Sequence, residues 1–218
     1  MSQKKIKFDQ YLVRGKRRDF HVIVLRTTRY MWAYWDDFDK QYEIDGDTEA
    51  YHLIKYALAI LINDPTKIIY LPIRNQGIGE YFHNNSYDAV LTRPELQLRR
   101  SEWVNLRRQL DRAHKIKPYT LNYDSDALCR ERECYTDDDY YRWEHKEKQE
   151  VNTVLGDTMF VSYLKDSYLA VHNDVVRTLE KPLNEPSEPV FGINQKHPYW
   201  GWILTPTSIK NMEREASE

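Results

Sequence analysis

The chain has 218 residues and a formal net charge of −2, and 41% of its residues are hydrophobic, 13% aromatic and 30% charged. This length allows one large domain or two small ones, and 17 Tyr, 6 Trp and 6 Phe provide more buriable surface than disordered chains contain. The longest apolar run, near residues 57–62, is far shorter than the roughly 20 residues that span a bilayer, so no membrane association is predicted.

The N-terminus and the cysteines predict a reduced, cytoplasmic protein. Residues 1–9 are mainly polar and contain no apolar segment of the kind that a secretory signal requires. Cys129 and Cys134, if helical, point to different faces of one helix, which disfavours a bridge between them.

The first third of the chain predicts two strands, a helix and a further strand. The β-branched run 20–25 favours a buried strand, and residues 27–35 alternate as a strand with one aromatic face does. After an acidic connection, Asp47 is placed to cap a helix whose apolar residues recur at helical spacing through Leu61. A second short apolar strand is predicted over 68–73.

The middle of the chain predicts a loop, a helix and a strand. Residues 74–88 are rich in Gly and Asn, which predicts a loop. Thr92 and Glu95 have the spacing of a capping box, and an apolar stripe at helical spacing continues to Ala113. A strand is predicted over 119–123.

The last third predicts a charged helix over 126–150, followed by a hairpin of two strands over 158–164 and 168–172. Three prolines predict a loop over 182–189. The final elements predicted are a strand and a short helix, over residues 199–204 and 207–214.

This mixed order predicts an α+β fold with one mixed or largely antiparallel sheet and about three main helices packed on it. Residues 1–19 are predicted as a basic N-terminal segment and 20–218 as a single domain. The Pro-rich loop at 182–189 lies too close to the C-terminus to divide two cores.

Motifs for catalysis are absent from the sequence. It contains no P-loop, nucleophile elbow or zinc-binding pattern, so we predict no catalytic residue, no metal site and no cofactor. An enzyme with a dispersed site, around His172 or His83, remains an alternative.

Two acidic stretches that also contain tyrosine and tryptophan predict a surface for a basic protein partner. Tyr and Trp are common in interface hot spots, and neighbouring carboxylates accelerate encounter with a basic surface. The predicted partner-binding residues are Asp137, Asp138, Asp139, Tyr140, Tyr141, Trp143, Trp32, Trp35, Asp36 and Asp37. The alternative is a capped helix start whose aromatic side chains pack on the domain.

Basic residues predict a different partner, nucleic acid. Residues 1–30 carry nine Lys and Arg against two Asp, and residues 65–118 carry ten basic against five acidic groups. Clustered basic residues with nearby aromatics are typical of nucleic-acid binding, although solvated tails and helix faces have the same composition. The residues predicted for this role are Lys16, Arg17, Arg18, Arg100, Arg107 and Arg108, within a wider set that includes Arg14 and Arg112.

Three stretches have a distinctive apolar pattern: residues 49–60 followed by 68–71, residues 160–174, and residues 202–204 followed by Ile209. Together they resemble an uncharacterised bacterial α+β domain family, some members of which look like toxin-immunity proteins. The glycine that this family has after the paired-strand aspartate is replaced by Val175. The resemblance implies a protein that binds another protein.

We therefore predict a non-enzymatic cytoplasmic protein that binds another protein, in an immunity or inhibitor role. The alternatives are a nucleic-acid-binding accessory or phage-type protein, and the enzyme with a dispersed site. The sequence does not predict the oligomeric state.

Overall fold

The computed structural model describes residues 4–26, 30–36, 41–74, 86–133, 151–181, 187–194 and 197–217, which contain thirteen strands and five α-helices. The strands are β1 (Lys4–Phe8), β2 (Gln10–Arg14), β3 (Asp19–Val24), β4 (Met31–Asp36), β5 (Gln41–Asp47), β6 (Lys67–Leu71), β7 (Ser86–Thr92), β8 (His114–Lys115), β9 (Tyr119–Tyr123), β10 (Val151–Leu155), β11 (Thr158–Ser162), β12 (Ser187–Asn194) and β13 (His197–Leu204). The helices are α1 (Thr48–Asn63), α2 (Arg100–Leu110), α3 (Ser125–Glu133), α4 (Lys165–Glu180) and α5 (Pro206–Glu215).

Eleven of these strands form one mixed sheet, whose main order is β12-β13-β5-β4-β7-β6-β3-β2-β8. β11 joins β7 in parallel, and β10 pairs with β11. The pairs β3–β6 and β5–β13 are also parallel, and the remaining pairs are antiparallel. The other two strands, β1 and β9, form a separate antiparallel pair. The predicted α+β class with a mixed sheet is confirmed, but the described residues contain five helices and a second small sheet.

The central strands are covered by helices on both faces. On β3 and β6, Ile23 and Ile69 belong to the core beneath α1 and α4, whereas their neighbours Val22 and Ile68 belong to the core beneath α2. This alternation follows from the two-residue period of a strand. Strands that are buried on both faces need nearly continuous apolar runs. For this reason residues 20–25 and 68–73 could be predicted as strands from the sequence.

Helix α1 forms as its sequence predicts. The Asp47 side chain accepts a hydrogen bond of 2.7 Å from the Ala50 backbone N–H, so the predicted cap is confirmed. The apolar side chains of α1, including Ile54 and Leu58, are fully buried. This burial, more than intrinsic propensity, stabilises a helix of this length.

Residues 168–172 lie within α4, so the prediction of a hairpin over 158–172 was wrong in its second strand. Tyr168, His172 and Val175 recur at helical spacing, and the five-residue apolar window was too short to separate helix from strand. The real hairpin joins β10 to β11, and Gly156, at φ +61°, supplies its turn.

The region after residue 85 also differs from its prediction. Residues 86–88 were predicted as loop but begin β7, and Thr92 ends this strand instead of capping a helix. The polar Asp88 is accommodated inside the sheet because the Tyr70 hydroxyl and the Arg74 N–H donate to its carboxylate. α2 starts only at Arg100, where the Glu102 carboxylate accepts a hydrogen bond from the Arg99 N–H.

Two further predictions fall partly outside the described residues. The helix predicted over 126–150 corresponds to α3 as far as Glu133, and the rest of that range lies outside. The Pro-rich loop predicted over 182–189 overlaps β12 at residues 187–189. β12 ends the strand order, and an edge strand tolerates Pro189 because one side of its backbone needs no partner.

The turn between β2 and β3 requires glycine because the chain approaches itself closely there. A Cβ at Gly15 would lie 2.4 Å from the Arg18 carbonyl oxygen and 2.7 Å from the Phe20 ring. Gly15→Ala is therefore expected to lower the free energy of unfolding by about 2 kcal/mol, as measured by urea titration. The exposed neighbouring change Lys16→Ala should stay within about 0.5 kcal/mol, and equal effects of the two would contradict this account.

Candidate functional site

Two open pockets lie side by side against α2 and the turn that follows it. The first, which we call the tyrosine pocket, has a volume of about 640 Å³ and is lined by residues that include Tyr11, Arg26, Tyr70, Arg107, Leu110 and Asp111. The second, the arginine pocket, has a volume of about 460 Å³ and is lined by residues that include Leu12, Arg14, Arg108, Arg112 and His114. Ala113 lines both pockets, so they adjoin.

The convergence of basic side chains follows from how α2 packs. Its apolar stripe of Trp103, Leu106 and Leu110 is buried against the sheet. Leu106 is followed directly by Arg107 and Arg108. These two residues are rotated away from that stripe and reach the solvent side. The chain then returns along β8, which pairs with β2 through Tyr11 and Leu12 and so brings Arg112 and His114 beside β2.

The arginine pocket carries positive charge that nearby carboxylates do not neutralise. Arg14, Arg108 and Arg112 are exposed, and none of them forms an ion pair with another residue in the part of the chain that the structure describes. The ion pairs close to the pocket are Arg107–Asp111 at 3.5 Å and Lys115–Asp9 at 2.7 Å. Three guanidinium groups are therefore available to an anionic ligand, which they can bind through paired N–H donors.

One wall of the tyrosine pocket is formed by Arg107 and Tyr70, which pack on each other in front of the buried Trp103. The Arg107 guanidinium lies 5.0 Å from the Tyr70 ring centroid, and the Tyr70 ring lies 5.2 Å from that of Trp103. The Tyr70 hydroxyl donates a 2.6 Å hydrogen bond to the Asp88 carboxylate. Burial, with this contact, raises the pKa of the Tyr70 hydroxyl, so the wall keeps its neutral phenol at ordinary pH. Tyr11, half-buried, also lines the pocket.

The predicted nucleic-acid-binding residues lie in the turn between β2 and β3 and on α2. Lys16, Arg17 and Arg18 are exposed in the turn between β2 and β3. Arg18 donates to the Leu96 carbonyl oxygen, which fixes this turn beside the segment that leads into α2. Arg100 is exposed in the first turn of α2.

Arg107 and Arg108, also predicted, line the tyrosine and arginine pockets respectively. Tyr11, Arg26 and Tyr70 were not predicted for this site. Tyr11 lies on β2 and Tyr70 on β6, whereas Arg26 follows the end of β3 by two residues, and the pairing of β2, β3 and β6 brings the three together. No local sequence pattern predicts a site that is assembled from separate segments of the chain.

The predicted protein-binding residues fall mainly outside the described residues. Those outside are Asp37, Asp137, Asp138, Asp139, Tyr140, Tyr141 and Trp143. Trp32 is fully buried in a cluster with Leu204 and Ile209, so its side chain contributes to the core, and Trp35 is half-buried. Asp36 ends β4. The acidic and aromatic interface for a protein partner stays a prediction.

His172, one of the two histidines suggested for an enzyme site, does not line either pocket. His172 is buried in α4, with its Nε2 3.1 Å from the Tyr123 hydroxyl oxygen. His83 lies outside the described residues. Within the described ranges, no three His, Cys, Asp or Glu side chains are grouped so that they could hold a metal ion.

A further polar cluster ties β4 to β5. The Tyr34 hydroxyl lies 3.0 Å from the Glu43 carboxylate and 3.1 Å from that of Asp45, and both carboxylates are buried. Burial and these carboxylates raise the pKa of Tyr34. Because the hydroxyl reaches two residues of the neighbouring strand, this cluster fixes the register of the pair.

Comparison with protein-family models, with curated proteins and with solved structures found no match to this chain. The resemblance to a toxin-immunity family stays a prediction. Among the helices that the structure describes, none combines the length and hydropathy that a bilayer-spanning helix needs. The chemistry of the two pockets is therefore the main guide to function.

Proposed function

We propose that this chain binds nucleic acid through the surface formed by α2, the turn between β2 and β3, and the connection from α2 to β8. The observation that carries the proposal is the arginine pocket. It gathers Arg14, Arg108, Arg112 and His114 at one open concavity, without a carboxylate partner for the three arginines among the described residues.

A phosphate backbone satisfies this arrangement better than an isolated carboxylate does. Guanidinium groups bind phosphate oxygens through paired N–H donors, and each neutralised phosphate releases counterions. The nearby exposed residues Lys16, Arg17 and Arg100 extend the positive surface beyond the pocket, which suits a repeating anion.

The dimensions of α2 also favour an extended ligand. The helix has 11 residues and is therefore about 16 Å long. A nucleic-acid strand carries one phosphate per nucleotide, so more than one phosphate can face a surface of this length. Basic residues occur from the first residue of α2, Arg100, to Arg112 beyond its end.

Removing two arginines of the pocket tests the proposal. The double variant Arg108→Ala/Arg112→Ala is expected to bind a fluorescent oligonucleotide about 25-fold more weakly at about 0.1 M salt. The slope of log affinity against log salt should fall in magnitude by about 1.4, because about 0.7 is lost per phosphate contact on a single strand. Fluorescence anisotropy at several salt concentrations measures both quantities.

The matched control is Arg177→Ala/Arg214→Ala, which removes two exposed arginines from α4 and α5. This control should retain the affinity and the salt slope of the native chain. Absence of binding, or binding that does not depend on salt, would overturn the proposal.

A further inference from the structure

We propose that the nucleic acid bound here is single-stranded, with one unstacked base in the tyrosine pocket and the adjoining phosphates in the arginine pocket. This inference rests on the proposed function and specifies its ligand. The two pockets adjoin at Ala113 but differ in chemistry, as a base and its phosphate do.

The tyrosine pocket offers what a base requires. Its volume of about 640 Å³ lies within the roughly 300–1,000 Å³ range of small-molecule pockets and leaves ample room for one base. Tyr11 and the Arg107 guanidinium provide flat surfaces, and both aromatic rings and guanidinium planes stack on bases. Arg26 supplies hydrogen-bond donors and Asp111 supplies acceptors for the polar edge of a base.

The arginine pocket offers what a phosphate requires and little that a base requires. Arg14, Arg108 and Arg112 line it, and its described lining residues include no Phe, Tyr or Trp, with the His114 imidazole as the one ring among them. A phosphate bound there holds the next base of the strand close to Ala113 and therefore at the entrance to the tyrosine pocket.

A duplex cannot use both pockets in this way. Its bases are stacked and paired, so none of them enters a concave pocket unless it is first pulled out of the stack, which costs a few kcal/mol. Only its phosphates reach the basic surface. Single strands present their bases freely, and proteins that bind them combine a basic groove with aromatic stacking platforms.

The decisive experiment compares three kinds of probe on the native chain: a single-stranded oligonucleotide of about 12 nucleotides, an abasic strand of equal length, and a duplex. The single-stranded oligonucleotide is prepared both as DNA and as RNA. Fluorescence anisotropy at one salt concentration should show the single strand bound about tenfold or more tightly than either of the others. Comparing DNA with RNA then shows which sugar the surface accepts.

Variants of Tyr11 locate the base. Tyr11→Leu keeps an apolar side chain but removes the ring, and it should weaken binding of the single strand about tenfold without changing binding of the abasic strand. Tyr11→Phe keeps the ring and should restore the native affinity. Melting temperatures of both variants check that the fold is retained.

The possible outcomes separate this inference from the proposed function. Equal affinity for all three probes, with weakening by Arg108→Ala/Arg112→Ala, would overturn the single-strand inference and leave the proposed function in place. Tighter binding of the duplex would do the same. No binding to any probe would overturn both. The comparison of probes uses the native chain, so it decides the matter even if a Tyr11 variant loses stability.

Discussion

Replacing Trp103 by alanine is expected to lower the free energy of unfolding by about 3–5 kcal/mol, because it opens a large cavity between α2 and the sheet. Trp103 is 1% exposed and belongs to the core cluster that includes Phe20, Tyr70 and Val90. The same change should weaken oligonucleotide binding, since Arg107 and Arg108 are positioned by the docking of α2. Urea unfolding measures the first effect and fluorescence anisotropy the second.

Trp103→Phe should lower the free energy of unfolding much less than Trp103→Ala does, by about 1–2 kcal/mol. The buried indole N–H of Trp103 has no hydrogen-bond partner among the described residues, so phenylalanine removes an unsatisfied donor while it keeps most of the apolar contact. The surface change Val104→Ala, one residue further along α2, should stay within about 0.5 kcal/mol. A Phe variant as unstable as the Ala variant would contradict this account.

Elements with a complete local signal could be predicted from the sequence. α1 has a capping residue, Asp47, and nine buried residues, among which Ala50, Ile54, Ala57, Leu58 and Leu61 recur at helical spacing. β3 and β6 are apolar runs because helices cover them on both faces. α4 was predicted in part as a strand because its apolar window over 168–172 was read without the residues up to 180, where the helical period becomes evident.

The candidate site could be predicted only in outline. Arg107 and Arg108 were identified because charge density along one helix is visible in the sequence. Tyr11 and Tyr70 were not, since β2 and β6 are 52 residues apart and become neighbours of α2 only through β3. A pocket built from several strands depends on tertiary pairing, which no local pattern encodes.

Burial of His172 should make the stability of the protein sensitive to acid. His172 is a fully buried residue of α4 that faces β9. The Tyr123 hydroxyl lies 3.1 Å from its Nε2, and the Asn173 side-chain oxygen lies 3.4 Å from its Nδ1. Burial lowers the pKa of the His172 imidazole from 6.5 to about 4, and the positive charge of Lys55 acts in the same direction, whereas the Asn173 contact opposes them. The folded chain therefore keeps this ring neutral where the unfolded chain protonates it.

The direction of the effect follows from proton linkage. Above pH 6.5 the ring is neutral in both states and contributes no pH dependence. Between pH 6.5 and pH 4 the unfolded chain binds a proton that the folded chain does not, so the folded state loses stability as the pH falls. The loss amounts to about 3 kcal/mol, a large fraction of the 5–15 kcal/mol that typically separates folded from unfolded domains. Below pH 4 both states are protonated at this site and the contribution levels off.

His172→Gln isolates this contribution from that of the other titrating groups. Glutamine stays neutral and keeps a polar atom for the Tyr123 hydroxyl. Any difference in stability between the variant and the native chain at neutral pH is therefore a constant offset. Between pH 6.5 and pH 4 the stability of the variant should fall less than that of the native chain. The difference between the two urea-derived stability profiles should grow by about 3 kcal/mol over this interval. His21 and His52, whose pKa values are also lowered by burial, are present in both proteins and cancel in the difference.

NMR provides the direct check, because the ring protons of His172 should titrate near pH 4 in the folded protein. A midpoint near 6.5 would mean that water or the Tyr123 side chain stabilises the imidazolium, and the acid sensitivity would then have to come from other groups.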